Sequence, residues 1–270
     1  MKKTIHFVSG LPRAGSTLLC NLLAQNPRFH ATPTCGLFEV LAMVRSRWNR
    51  IPEFRAAPDE DAKLRVLRAI LKAHHDDPKN KRPVVFDKSP AWPSLLETVE
   101  LLLKEKAKVL VPVRDVRDVL AECEQMFRVN NGTWEFPQEE AHFLKWQTVE
   151  GRCEVWMARD QAVGLAYNRI RDAVHRGFSD RLHFVEYDRL THEPKKVFQG
   201  IYEFLEEKPF AHDFQHIEQV THEDDSHYGL PPVHVLRPKL KPSEPLWPKV
   251  LGKVAKRYTP LNELWQAKAD

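Results

Sequence analysis

Apolar residues divide this chain into short strands and amphipathic helices that alternate along most of its length. Thr4-Ile5-His6-Phe7-Val8-Ser9 is apolar and partly β-branched and predicts a strand. Leu18, Leu19, Leu22 and Leu23 then recur at helical spacing until Pro27 ends the run. Residues 36–50 predict another helix. Asp59 caps a further one, which Leu64, Leu67, Ile70 and Leu71 carry to about residue 75. Pro83-Val84-Val85-Phe86 predicts a second strand ending at Asp87-Lys88-Ser89-Pro90, and residues 95–104 a helix. Residues 108–113 predict a third strand, ending at Arg114. From 115 to 127, Val116, Val119, Leu120, Cys123 and Phe127 form one apolar helical stripe. A loop is expected around Asn130-Asn131-Gly132, then one long or two short helices over 139–177. Leu182-His183-Phe184-Val185 predicts a fourth strand running into Glu186-Tyr187, and Pro194 opens a helix lasting to about residue 206. From about residue 209 the chain is rich in Pro and His, with a final helix from Pro248 and Trp265 as an anchor.

Strands alternating with helices predict an α/β fold: a three-layer sandwich with a mostly parallel central sheet flanked by helices. Ligands of such sheets bind at the carboxyl ends of the strands. Arg13, Lys88, Arg114 and Tyr187 each follow a predicted strand, so all four are expected to face one crevice.

The first crossing from strand to helix carries GLPRAGST, residues 10–17. Its spacing is that of a phosphate loop, G-x-x-x-x-G-K-[ST], with Ser16 where the lysine would stand. The backbone N–H groups of residues 13–18 can converge on an anion at the positive end of the helix, with hydroxyls from Ser16 and Thr17. The missing cation has two replacements at hand, Arg13 in the loop and Lys88 past the second strand. Val84-Val85-Phe86-Asp87 also looks like a strand whose acid would hold Mg²⁺, which keeps a P-loop small-molecule kinase using Mg-ATP open. Otherwise Asp87 is a helix cap or a partner for Lys88.

Composition narrows the partners. The 270 residues are 42% hydrophobic and 29% charged, which suits one large domain. The net charge of +4 fits an anionic ligand, but Lys and Arg are scattered, so no nucleic-acid partner is expected. Cys20, Cys35, Cys123 and Cys153 form no C-x-x-C pair and read as small core residues in a reducing compartment. The stretch after Met1-Lys2-Lys3 is too short for a signal peptide, and no segment approaches a membrane span. A cytoplasmic protein without a membrane partner is expected, with homo-oligomerisation left open.

PRAGSTLL, the lysine of FDKSP, and VRDVRDVLAECEQMFR together resemble the PAPS-dependent sulfotransferases, where PAPS is 3′-phosphoadenosine 5′-phosphosulfate. The likeness is to the bacterial branch and, more distantly, to the tyrosylprotein enzymes. It extends through FVEYDRLTHEPKKVFQGIYEFL to VLRPKL, from about residue 5 to about residue 240. The resemblance implies a metal-independent transfer of SO₃ from PAPS to a small-molecule acceptor, leaving adenosine 3′,5′-bisphosphate. It implies that Arg13, Ala14, Gly15, Ser16, Thr17 and Leu18 cradle the 5′-phosphate, while Arg13 and Lys88 stabilise charge on the leaving group. Arg114 matches the arginine on the donor's 3′-phosphate. Tyr187 matches a position near the adenosine, and Arg237 a late basic residue closing over the donor. One domain over 1–270 is implied, with helical excursions at about 36–76 and 130–177 on the acceptor side. A C-terminal segment, about 209–270, would close over the donor.

Two positions depart from the family. Eight residues after Arg114, where serine is usual, stands Glu122. A carboxylate about 4 Å from a phosphate charge costs about 4 kcal/mol per unit charge at an effective dielectric near 20. Glu122 is therefore expected to turn away, toward Arg117 or another cation; otherwise the 3′ site is altered, or the protein is an inactive nucleotide-binding homologue. The second departure is the general base. The tyrosylprotein enzymes place a glutamate 21 residues after the loop arginine, which here is Thr34. Glu39 is the nearest acid and the first candidate; His142 is the second, and His30 is near in sequence. Trp48, Trp134, Trp146 and Trp156 lie on the acceptor side as core residues or as stacking partners. Glu223, Asp224 and Asp225 with His222 and His227 form a polar cluster. It can receive a cationic acceptor, hold a metal, or be an exposed loop; its spacing fits no metal template.

Overall fold

The computed structural model describes residues 3–130, 141–229, 232–242 and 244–266. Five parallel strands form one sheet in the order β2-β3-β1-β4-β5: β1 Thr4–Val8, β2 Phe29–Thr34, β3 Val84–Lys88, β4 Val109–Val113 and β5 Leu182–Glu186. The helices between them are α1 Ser16–Leu23, α2 Leu37–Trp48, α3 Pro52–Ala56, α4 Glu60–His75, α5 Leu96–Leu103 and α6 Val116–Val129. Then come α7 Phe143–Trp146, α8 Val149–Trp156 and α9 Ala162–His175, and after β5, α10 Tyr187–His192 and α11 Pro194–Leu205.

Side-chain alternation along the strands makes the three layers. Ile5 and Phe7 of β1 and Val109, Val111 and Val113 of β4 join the core beneath α2, α4, α5, α6 and α9. Val8 and Leu110 point the other way, into a second core built from α1 and α11 through Leu19, Leu22, Leu23, Phe198, Ile201 and Tyr202. A strand covered on both faces must be apolar throughout, and β4 is fully buried along its length. The chain passes from β1 to β3 on one side of the sheet and returns to β4 on the other. The resulting switch point, where a ligand crevice forms, lies at the end of β1.

Three elements differ from the sequence expectation. β2 is not among the four strands expected from the sequence, and Pro33 interrupts its apolar pattern. It is an edge strand paired only with β3, and its register shifts between Ala31 and Thr34, so the missing proline N–H costs no ladder bond. The stretch expected as one or two helices holds three described helices. They are separated where Thr148 caps α8 by accepting from Gly151 and where Gln161 turns extended before α9. The final helix is short, α12 Trp247–Val250, and gives way to a 3₁₀ run, Gly252–Asn262, containing Pro260; α13 Glu263–Gln266 ends the described chain.

Candidate active site

The loop after β1 continues toward β4: Ser9 N–H donates to Leu110 O at 2.9 Å and Leu11 N–H to Pro112 O at 3.0 Å. Arg13 and Gly15 both have positive φ, 61° and 82°, which turn the chain into α1. A Cβ on Gly15 would lie 2.6 Å from Tyr187 Cδ2, so only glycine serves there. Leu19 N–H is bonded to Gly15 O. The amides before it, including Ser16, Thr17 and Leu18, are the unpaired N-terminal donors of a helix. Ala14 is buried beneath them. Loop, glycine and helix thus form a concave set of donors, the geometry that holds a phosphate or sulfate.

Lys88, at the end of β3, reaches the mouth of this loop. It is 4% exposed, and its Nζ donates to Thr17 Oγ1 at 3.2 Å and to Glu223 Oε1 at 2.5 Å. Glu223 comes from the segment after β5 and α11, which the sequence pattern left as irregular chain. Asn21 of α1 secures it. Its Nδ2 donates to Thr17 O and Thr221 Oγ1, and its Oδ1 accepts from the N–H groups of Val220 and Thr221. Desolvation alone would raise the Glu223 pKa; hydrogen bonds from Lys88 and Thr34 and the lysine charge overcome it and hold the carboxyl below its usual range. Asn21 was the legible signal: one amide in the run Leu18-Leu19-Cys20-Asn21-Leu22-Leu23, and it is 1% exposed.

At the other end of the crevice, Arg114 is 5% exposed and lies under Tyr187, with its guanidinium carbon 4.9 Å from the ring centre. Glu122 does not turn away from it. One carboxylate oxygen pairs with Arg114, the other accepts from Arg13 Nε at 2.9 Å, and Arg117 is held instead by Asp115. The reason is local: Arg114 stands just before the cap of α6, Glu122 lies within reach on that helix with Arg13 opposite, and Arg117 closes back on the cap. Burial opposes the charge on Arg114, but Glu122 more than compensates, and its pKa is raised. Nε of Arg114 is buried without a hydrogen-bond partner, an unused donor at this end of the crevice. Arg13 also donates to Val233 O at 3.1 Å, and exposed Arg237 acts electrostatically on Tyr187. The C-terminal segment therefore touches both ends.

The other sequence candidates lie elsewhere. Glu39 is exposed on α2, with Arg169 as its charged neighbour. His142 caps α7 through its carbonyl, which accepts from Trp146 N–H, and His30 sits in β2 beside Val85. Trp146 is buried, edge-on to Phe127 and Trp156, and Trp48 stacks on Phe54; these are packing roles. Trp134 lies outside the described residues. Asp87 accepts from Trp92 Nε1 at 2.8 Å and stands 3.1 Å from His75 Nε2, so it neither caps a helix nor pairs with Lys88. Cys35, His74 and Asp87 bring ligand atoms within 4.8 Å of one another, but burial pushes the Cys35 thiol up to about 12. Of the polar cluster, Asp224 caps a turn at Ser226, and buried Asp225 accepts from Val233 N–H, His234 N–H and the His234 ring. Among the described residues, no helix is long and apolar enough to cross a membrane.

No curated protein matches the chain. Many solved structures resemble it, among them three sulfotransferase structures. The sulfotransferase domain of a Synechococcus olefin synthase is 21% identical over 78% of this chain and 76% of that one, with a TM-score of 0.45. A sulfotransferase from Alicyclobacillus acidocaldarius is 17% identical over 79% and 85%, with a TM-score of 0.48. A mouse sulfotransferase complexed with PAP is 12% identical over 96% and 89%, with a TM-score of 0.49. Likeness that distant leaves the decision to the family comparison. The model of the sulfotransferase family matches residues 6–211, a span that carries the anion loop, Lys88, Arg114 and Tyr187, and the chain therefore belongs to the sulfotransferase family.

Proposed function

We propose that the protein moves a sulfuryl group from PAPS to a hydroxyl or amine of a small-molecule acceptor by in-line displacement. The observation that carries this reading is the buried Lys88 on the Thr17 hydroxyl at the head of an anion loop, with Arg114 and Tyr187 in the same crevice. On this reading the N–H groups and hydroxyls of residues 14–18 hold the 5′-phosphate of the donor. Lys88 and Arg13 neutralise charge as it builds on the leaving oxygen, so position and electrostatics supply most of the rate. Arg114 receives the 3′-phosphate, and its unpaired Nε supports that role. The reaction needs no metal; both oxygens of Asp87 already face Trp92 and His75, which disfavours a Mg-ATP kinase. A donor without a 3′-phosphate is a second reading, favoured by Glu122 lying across Arg114 and Arg13.

Thermal stabilisation by adenosine 3′,5′-bisphosphate, adenosine 5′-phosphate and Mg-ATP tests the reading. A ligand at about 100 times its dissociation constant adds about 2.7 kcal/mol. A shift with the bisphosphate, with EDTA present, is expected. A shift with the 5′-phosphate alone moves the case to the second reading, and a shift with Mg-ATP alone sinks both.

A further inference from the structure

The family match ends at residue 211, short of the one carboxylate that, among the described residues, is bonded to Lys88. We propose that this residue, Glu223, is the general base of the reaction, so that the C-terminal segment supplies a catalytic group that the sheet does not. The inference rests on the sulfotransfer reading above.

Its geometry is that of a positioned acid–base group. Glu223 is 4% exposed at its side chain and shares Lys88 with the Thr17 hydroxyl, which places the carboxylate beside the anion loop. Thr34, where the sequence lacks an acid, hydrogen-bonds to the carboxylate from the end of β2. Glu223 thus brings an acid from the other side of the crevice to the place where the chain between β2 and α2 has none. Its second oxygen, Oε2, is buried with no aligned hydrogen bond; His234 Nδ1 is 3.8 Å away, and the Tyr228 hydroxyl also faces the carboxylate. A buried carboxylate oxygen so loosely paired is costly unless a further group uses it. The segment is anchored on both sides of Glu223, by three bonds of Asn21 to residues 220 and 221 before it and by Asp225 on Val233 and His234 after it. That anchoring fixes a catalytic side chain more closely than an exposed helix face, such as that of Glu39, would do.

In the step itself, the acceptor O–H or N–H bond breaks and its proton passes to Oε2 of Glu223. The freed electron pair forms the new bond to sulfur, and the S–O bond to the 5′-phosphate breaks. That electron pair stays on the phosphate oxygen, where Lys88 meets it. Glu223 then returns its proton to water.

The test compares wild type with Glu223→Gln, Glu223→Ala and Lys88→Ala. Each is first assayed for folding by thermal melt and for binding of adenosine 3′,5′-bisphosphate. Release of the bisphosphate from PAPS is then followed with a panel of phenols, alcohols and amines, and with water as the background acceptor. Glu223→Gln is expected to keep bisphosphate affinity within about threefold while kcat falls by about 10²- to 10⁴-fold. Added formate is expected to restore part of the Glu223→Ala rate, because a small carboxylate can enter the space the side chain leaves. Unchanged kcat in Glu223→Gln overturns the proposal. So does parallel loss of binding and rate without formate rescue, which would make Glu223 a structural partner of Lys88. If wild type neither binds the bisphosphate nor releases it from PAPS, the sulfotransfer reading falls and takes this role with it.

Discussion

The crevice has two ends, and each carries a cation bonded to a glutamate. At the inner end Lys88 holds Glu223, both nearly sealed from solvent. At the outer end Arg114 and Arg13 share Glu122, whose side chain is 23% exposed. The two pairs look alike but differ in what they ask of a ligand. Glu223 has further fixed partners, Thr34 and the segment tied to Asn21, and an approaching leaving group need only divide Lys88 with it. Among the described residues, Glu122 has no such partners apart from the two arginines. On the proposed reading, a 3′-phosphate must compete with it for Arg114, and the leaving group for Arg13. The inner pair is thus built into the site, and the outer pair stands in the ligand's place.

The sharpest way to break this contrast is at Lys88. Lys88→Ala should lower turnover about 10³-fold, the scale of losing one preorganised donor to a developing charge. It should leave bisphosphate affinity nearly intact, since loop amides and Arg114 remain. Steady-state kinetics with PAPS, paired with calorimetry on the bisphosphate, check both halves. A large loss of affinity with little loss of kcat would mean that Lys88 is a binding group and the inner end has no special chemistry.

Asn21→Ala comes next. It strips four hydrogen bonds from a fully buried amide and leaves backbone N–H groups of residues 220 and 221 without acceptors. A cost of about 2–3 kcal/mol in stability is expected from such orphaned donors. The rate should also fall, through Glu223, while Glu122 is untouched. Urea unfolding and kcat measured together separate the two; normal kcat in a destabilised variant would show that the segment does not depend on α1 for its position.

How much of this the sequence showed follows the same division. The strand–loop–helix, Lys88, Arg114 and Tyr187 were legible because each sits a fixed few residues after an apolar strand, and strand ends in a parallel sheet share one edge. Glu122 was legible as a departure, since it stands eight residues after Arg114 on the helix that follows, but its orientation was not. The expectation of a turned-away side chain weighed the cost against phosphate and missed the gain against two arginines. Glu223 was visible only as part of a polar cluster. Its contact with Lys88 spans 135 residues, and no periodicity encodes a tertiary pair at that distance. β2 was missed for the opposite reason, because an edge strand tolerates a proline that local rules count against a strand.

Glu122→Ser probes the outer end alone. Removing the competing carboxylate should tighten adenosine 3′,5′-bisphosphate by about tenfold, a solvent-screened share of the full like-charge cost. Affinity for adenosine 5′-phosphate should rise less, through the freed Arg13 alone. Calorimetry on both ligands decides it. Equal tightening of both would place Glu122 against the 5′-phosphate, and no change in either would mean that it swings clear at no cost.

The smallest expected effect is in acid, where the inner pair should be silent until late. The Glu223 carboxyl titrates below the ordinary 4.5, so its folded-state contribution is complete above that value and is lost only as pH falls below it. His6 behaves differently. Burial in β1 lowers its pKa from 6.5 to about 4, so the unfolded chain takes up a proton that the folded chain refuses. Stability from His6 is therefore full above pH 6.5 and drains as pH falls toward 4, with about 1 kcal/mol gone by pH 6. His212, also lowered to about 4 by burial, adds to the same window. Chemical denaturation from pH 7.5 to 4 should show His6→Phe flattening the slope between 6.5 and 4. Glu223→Gln should shift the level of the curve and leave the slope between 6.5 and 5 alone. If Glu223→Gln steepens the slope between pH 6.5 and 5, the folded carboxyl takes up protons above its ordinary range and offsets part of the His6 loss. Lys88 would then not hold it ionised, and the inner pair would be no more built in than the outer one.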